Sequence, residues 1–198
     1  MGREFAGLIM KVDIFNTDKK YGIIYADPPW SYRDKALAGS RGACCKYDVM
    51  NTPEISELPV NRIADNDCVL FMWVTMPKLN ECFDVIKAWG FDYKTCAFVW
   101  IKQNRKNESL FWGMGRWTRA NAELCLLATR GKPKRASASV HSVIQSRIRE
   151  HSRKPDETRN RIVELCGGGT TKLNCSQGNT RTVGIVGATR YEQIVIIE

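Results

Sequence analysis

The tetrad Asp27-Pro28-Pro29-Trp30 has the residue types with the most chemistry to offer. An amino nitrogen whose lone pair is delocalised into an aromatic ring is a poor nucleophile. It becomes a better one when hydrogen-bond acceptors localise that pair. Asp27 can accept one hydrogen bond from such a group and the carbonyl of Pro28 the other, while two prolines of fixed φ hold both acceptors in place. Trp30 then offers a ring face on which a base can stack. In a duplex the base must first leave its stack, at a cost of roughly a few kcal/mol. The plainer reading is a turn with an aromatic at its rim, and the tetrad alone does not separate the two. Its position favours chemistry: it follows directly on the apolar run Tyr21 to Tyr25, and open α/β sheets bind ligands at the carboxyl ends of their strands.

The rest of the chain supplies the elements to position that loop. YGIIY, ended by Asp27-Pro28-Pro29, reads as a buried strand. A polar, glycine-containing stretch from Ser31 to Lys46 reads as a surface loop. Thr52-Pro53-Glu54 is a helix start. Cys68 to Val74 is a second strand, and Leu79, Cys82, Phe83 and Ile86 recur at helical spacing in a segment stopped at Gly90. Thr95 to Ile101 and Ala122 to Thr129 are further strands, the last closed by Gly131 and Pro133. A final helix begins at Pro155, with Asp156 and Glu157 in its first turn, and runs to about Leu165. Gly167 to Gly169 follow that helix, so they read as its termination and not as a cofactor-binding turn. Strands alternating with helices predict a single α/β domain.

Bulk properties narrow the partners. A formal charge of +9 favours polyanions, and basic residues crowd the segment from Arg130 to Arg161, with Lys132 and Arg135 as candidate substrate contacts. None of the eight cysteines forms a CxxC pair, and neither His141 nor His151 completes a metal-ligand pattern, so no metal is expected. Free thiols point to a reducing, cytoplasmic setting. The sequence shows no membrane span, no signal-peptide run, and Ala6 where an acylation motif needs Ser or Thr.

Taken together, the ordered pieces resemble the adenine amino-methyltransferases related to the catalytic subunit of the eukaryotic mRNA adenosine methyltransferase, a family with many bacterial and phage members. The pieces are VDI at Val12 to Ile14, YADPPW to Trp30, KYDVM around Tyr47, LFMWVT at Leu70 to Thr75, WGF at Trp89, VWIK at Val99, GRW at Gly115 to Trp117, AELCLLATRGKP to Pro133, and HSRKPDE at His151 to Glu157. The resemblance implies a Rossmann-like, three-layer fold that binds S-adenosylmethionine and methylates the exocyclic amino group of adenine, in DNA rather than RNA. It implies that Asp27, Pro28, Pro29 and Trp30 form the catalytic loop. It further implies that Asp13 and Ile14 contact the cofactor, that Tyr47 and Trp117 line the pocket, and that Lys154 touches cofactor or substrate. Each has a bland alternative: Asp13 a turn cap, Tyr47 and Trp117 core or rim aromatics, Lys154 a solvated charge.

The resemblance stops near Leu165. Members of the family continue with a strand of the form ELFAR and a segment of the form GWDxWGN, and neither is present. Reading the codons from Gly169 one nucleotide earlier permits G-D-D-K-A-E-L-F-A-R-E-Y-K-D-G-W-D-C-W-G-D-K-V and then a stop. Cys175 forces leucine in that frame, and Tyr191-Glu192 restricts the following codon to stop or arginine. The expectation is therefore a methyltransferase domain over 1–166 and a frameshifted tail over 167–198, with the C-terminal strand lost or altered. The rival reading is a catalytically silent nucleic-acid-binding remnant with an incomplete cofactor pocket.

Overall fold

The structure is a computed structural model that describes residues 10–11, 14–31, 49–115, 117–150, 153–167, 182–186 and 195–197. The described strands form one mixed sheet. They are β1 (Met10–Lys11), β2 (Tyr21–Asp27), β3 (Ala64–Val74), β4 (Asp92–Gln103), β5 (Glu123–Arg130), β6 (Val143–Arg147), β7 (Thr182–Val186) and β8 (Val195–Ile197). Their order is β1-β8-β7-β2-β3-β5-β4-β6.

The strand interiors are apolar on both faces, as a sheet covered on two sides requires. On β2 and β3, Ile24, Ala26, Leu70 and Met72 join one core cluster, while Ile23, Tyr25, Phe71 and Trp73 join the other. The first cluster is roofed by α1 (Thr52–Ser56), α2 (Val60–Ile63) and α3 (Leu79–Ala88), through Ile55, Val60, Ile63, Cys82, Val85 and Ile86. The second is covered by α4 (Asp156–Cys166) through Ile162. The result is the α/β, three-layer, Rossmann-like architecture expected.

Local chemistry sets the element ends. Asn51, one residue before the expected start, caps α1: its side chain accepts from the Glu54 N–H while the Glu54 carboxylate accepts from the Asn51 N–H. A 3-10 turn at Met76–Lys78 leads into α3, and Gly90 beyond it sits at φ 80°, a left-handed conformation that favours glycine. Gly167 ends α4 in the same way at φ 83°, as expected of a helix-terminating glycine. The described cysteines are free and are packing residues. Burial pushes the thiols of Cys68 and Cys82 up to about 12 and that of Cys166 up to about 11.

Two features of the sheet depart from the sequence reading. β5 runs antiparallel to both of its neighbours, β3 and β4, so its amino end lies with their carboxyl ends. In addition, β6, which the sequence reading left inside a basic stretch, pairs parallel with β4 at the sheet edge. Beyond β2, the place of the strand expected to be lost or altered is taken by Thr182–Val186, parallel to β2 with Val186 opposite Asp27. The sheet thus has a strand at that place.

Candidate active site

Asp27 ends β2 at the edge where β3 and β4 also end and β5 begins. It is 8% exposed, and its Oδ2 lies 2.8 Å from the Lys154 ammonium. Lys154 stands just before α4 and also approaches Glu123 Oε2 at 3.4 Å. Glu123 opens β5 and pairs through Oε1 with Lys102 at 2.5 Å. Four mostly buried charges of alternating sign therefore run Asp27, Lys154, Glu123, Lys102 across three strands and the approach to α4. Their formal sum is zero, the condition under which buried charges are tolerated.

Indole faces border this chain of charges. The Lys154 ammonium lies 5.7 Å from the centre of the Trp73 ring, and that of Lys102 lies 5.2 Å from the Trp100 ring. The Trp73 indole N–H donates to the Tyr25 hydroxyl at 2.6 Å. Burial, with Cys125 next, raises the Tyr25 phenol far above its ordinary range, so it stays neutral.

The environment tunes each titratable group. Burial raises the Asp27 carboxyl above the usual aspartate value, against the opposing pull of Lys154. Burial alone would raise Glu123 too, but Lys154 and Lys102 together hold it below the usual glutamate value. Burial alone would lower Lys154, and the carboxylates of Asp27 and Glu123 hold it well above the ordinary lysine range. The charged ammonium faces the acidic side chains of Asp27 and Glu123.

The loop after Asp27 is fixed by its own backbone. The Trp30 N–H donates to the Pro28 carbonyl at 2.9 Å, leaving one lone pair of that oxygen for another donor. The Met50 N–H donates to the Pro29 carbonyl at 2.8 Å, and the Ser31 N–H to the Met50 carbonyl at 3.0 Å. Trp30 corrects the sequence reading. It is 4% exposed, packs in the first core cluster, and donates its indole N–H to the Trp73 carbonyl at 3.1 Å. In this conformation it locks the Pro-Pro loop to β3 and does not present an open stacking face.

The other expected residues divide sharply. Lys154 joins the site, yet its ammonium is engaged by Asp27 and Glu123, so its part is to hold the carboxylates. Ile14 is buried in the first cluster. Trp117 is 93% exposed, on the loop between β4 and β5. Asp13 and Tyr47 lie outside the described residues. Lys132 and Arg135 lie away from the Asp27 edge, so they do not line the site around Asp27. Because β5 is antiparallel, its carboxyl end lies where β3 begins, with Arg130 opposite Cys68. Seven strand residues at about 3.3 Å each put that end on the order of 20 Å from the Asp27 edge. The Ala136 N–H, bonded to the Leu165 carbonyl at the far end of α4, keeps Arg135 there too. The basic segment is thus split, with Arg147, Arg149 and Lys154 at the Asp27 edge and Arg130, Lys132 and Arg135 at the opposite one.

Glu123, Lys102 and Trp73 are the site residues that the sequence reading missed. A signal was present: AELCLLAT and VWIK each place one charge at the end of an otherwise apolar strand, where burial demands a partner.

The arrangement suits a cationic alkyl donor such as S-adenosylmethionine. A buried carboxyl group and a carbonyl with a spare lone pair stand at a strand's carboxyl end, and both nearby ammonium groups are already paired with acidic side chains. A sulfonium brought beside Asp27 meets two ammonium groups that already have acidic partners.

A family model described as MT-A70 matches residues 21–180. The chain is 35% identical over 155 residues to the Type II methyltransferase M.MunI of a Mycoplasma species, a match covering 69% of this chain and 64% of that protein. It is 29% identical over 156 residues to the Drosophila melanogaster N(6)-adenosine-methyltransferase MT-A70-like protein, covering 78% of this chain and 24% of the relative. It is 26% identical over 156 residues to the catalytic subunit of the human N(6)-adenosine-methyltransferase, covering 78% and 25%. The chain therefore spans a little under two thirds of the bacterial relative and about a quarter of the eukaryotic ones.

Proposed function

Since the chain belongs to the MT-A70 family, we propose that it is an S-adenosylmethionine-dependent methyltransferase acting on the exocyclic amino group of adenine in DNA. S-adenosylmethionine, when bound, supplies an electrophilic methyl group. The chain's own residues prepare the nucleophile. Asp27 accepts one N–H of the amino group and the free lone pair of the Pro28 carbonyl accepts the other, which localises the nitrogen lone pair. Lys154 opposes the effect of burial on Asp27 and orients it by its 2.8 Å contact, and Glu123 balances the charge that Lys154 brings into the core. The Trp30 anchor on Trp73 fixes the angle of the acceptor pair.

The observation that carries this reading is a buried carboxyl group paired with an ammonium at 2.8 Å at the carboxyl end of β2, directly before two prolines. The Mycoplasma relative, named a Type II methyltransferase, supports DNA over RNA. The test is incorporation of labelled methyl groups into adenine of DNA lacking that modification, by this chain and by Asp27→Asn. Loss of one preorganised catalytic contact elsewhere typically costs about 10²–10³-fold, and a drop of that size is expected. Full activity in the asparagine variant would remove Asp27 from the mechanism, and methylation of RNA alone would reassign the substrate.

A further inference from the structure

We propose that the loop between β4 and β5 is a wedge that opens duplex DNA in front of Asp27, so that the substrate is a base pair and not a single strand. The inference rests on the adenine reading above and deepens it. Asp27 is 8% exposed, so an adenine amino group in a stacked duplex cannot reach it, and the base has to leave the helix. Proteins that unstack base steps do so with apolar side chains carried on cationic segments.

The loop has both properties. Trp117, Met114 and Trp112, exposed at 93%, 90% and 56%, are the three most exposed large apolar side chains among the described residues. Exposed apolar groups gathered in one place mark an interaction surface. Between Asn104 and Ala120 the sequence has four basic residues (Arg105, Lys106, Arg116, Arg119) and one acidic (Glu108), a difference of +3 that favours a phosphate backbone as the partner.

The loop is also built into the active edge. Asn121 bridges its two sides, accepting from the Lys102 N–H at 2.9 Å and donating to the carbonyls of Lys102 at 2.9 Å and Phe111 at 2.5 Å. Lys102 is the last member of the charge chain that begins at Asp27. Arg105 donates to the Arg149 carbonyl, and Arg149 donates to the Lys154 carbonyl at 2.9 Å. Nearer the tip, the Gly113 N–H donates to the Ala120 carbonyl at 2.7 Å. At Gly115 a Cβ would lie 2.0 Å from the Thr118 carbonyl oxygen, so only glycine permits the turn that presents Trp117. The base of the loop that carries the aromatics is thus hydrogen-bonded to the strand edge at which Asp27 lies.

The experiment compares the parent chain with Trp117→Ala and with Trp112→Ala/Trp117→Ala. These exposed positions contribute little packing to lose. The substrate is adenine-unmethylated genomic DNA, either native or heat-denatured, and the readouts are labelled-methyl incorporation and tryptophan fluorescence during DNA titration at two salt concentrations. The wedge predicts a loss of about 10-fold or more on native DNA, with denatured DNA methylated within about twofold of the parent. It also predicts quenching by native DNA that disappears in Trp117→Ala while the salt dependence of binding stays. Equal losses on both substrates, or no loss on either, would overturn it, as would a preference for duplex RNA. Should the parent methylate neither DNA, the proposed function fails, and the quenching by native DNA decides the wedge on its own.

Discussion

Replacing Glu123 with Gln removes one negative charge from a buried chain whose charges sum to zero. The variant keeps the shape and the acceptor oxygen, but it leaves Lys102 and Lys154 facing Asp27 alone. Breaking a buried pair typically costs about 3–5 kcal/mol. The Lys102 and Glu123 side chains are 18% and 17% exposed, so residual solvation moves the expectation to the low end, about 3 kcal/mol. For a chain of this size that corresponds to a fall in Tm of roughly 6–12 °C. The sign with pH is fixed by the depressed Glu123 pKa. A carboxyl held below its unfolded value contributes stability that is present above the unfolded pKa and is lost as pH falls through the folded one. The gap between parent and variant should therefore be full near neutrality and close at pH values below the usual glutamate range. Thermal unfolding across that pH range measures it. Lys102→Met/Glu123→Gln removes the orphaned ammonium and should recover more than half of the loss. A gap that ignores pH, or additive losses in the double variant, would refute the idea that the four charges act as one compensated unit.

Four other outcomes are expected. In Lys154→Met, Asp27 loses the contact that opposes its burial, so the acid limb of the methyl-transfer pH profile should move to higher pH. Activity needs the ionised form and is lost as pH falls through the raised pKa. In Glu123→Gln the same limb should move the other way, because Glu123 is one of the groups that raise Asp27. Gly131→Ala should destabilise the fold by at least about 1–2 kcal/mol in chemical denaturation. Gly131 has φ 67°, and a Cβ there would lie 2.2 Å from the Asn66 carbonyl oxygen and 2.3 Å from Asp67 Oδ1, the acceptor of the Lys132 N–H. For the tail, calorimetry on this chain beside one carrying the shifted-frame residues should give tighter S-adenosylmethionine binding by the second. Equal affinity would make the family's usual C-terminal segment dispensable.

The apolar runs and glycine stops of the sequence were enough to place β2, β3, β4, β5, α3 and α4, because the strands are apolar runs of a sheet covered on both faces and the helices repeat at helical spacing, with β2, β5, α3 and α4 closed by a proline or glycine. They did not give strand direction. A buried strand has the same composition whether it runs up or down, and the antiparallel course of β5 is visible only in its pairing. That one reversal accounts for both main errors at the site. It carries Lys132 away from Asp27, and it brings Glu123, the first residue of the strand, to Asp27's side. Trp30 was misread for a related reason, since an aromatic after a Pro-Pro turn can point to solvent or fold back. Here a carbonyl of β3 takes its indole N–H.

The edge beyond β2 illustrates what a sheet does and does not ask of a sequence. A parallel neighbour needs backbone N–H and C=O groups and residues that tolerate burial, which the run TVGIV at Thr182 to Val186 can supply although it matches neither expected motif. Completing a ligand pocket is a stricter demand, because it depends on particular side chains at particular heights along that strand. Val186 stands opposite Asp27 in the register, where the chemistry lies. A strand can thus complete the sheet beside β2 while the acceptor pair of Asp27 and Pro28, with Lys154 and Glu123 behind it, forms the polar part of the site that the described residues supply.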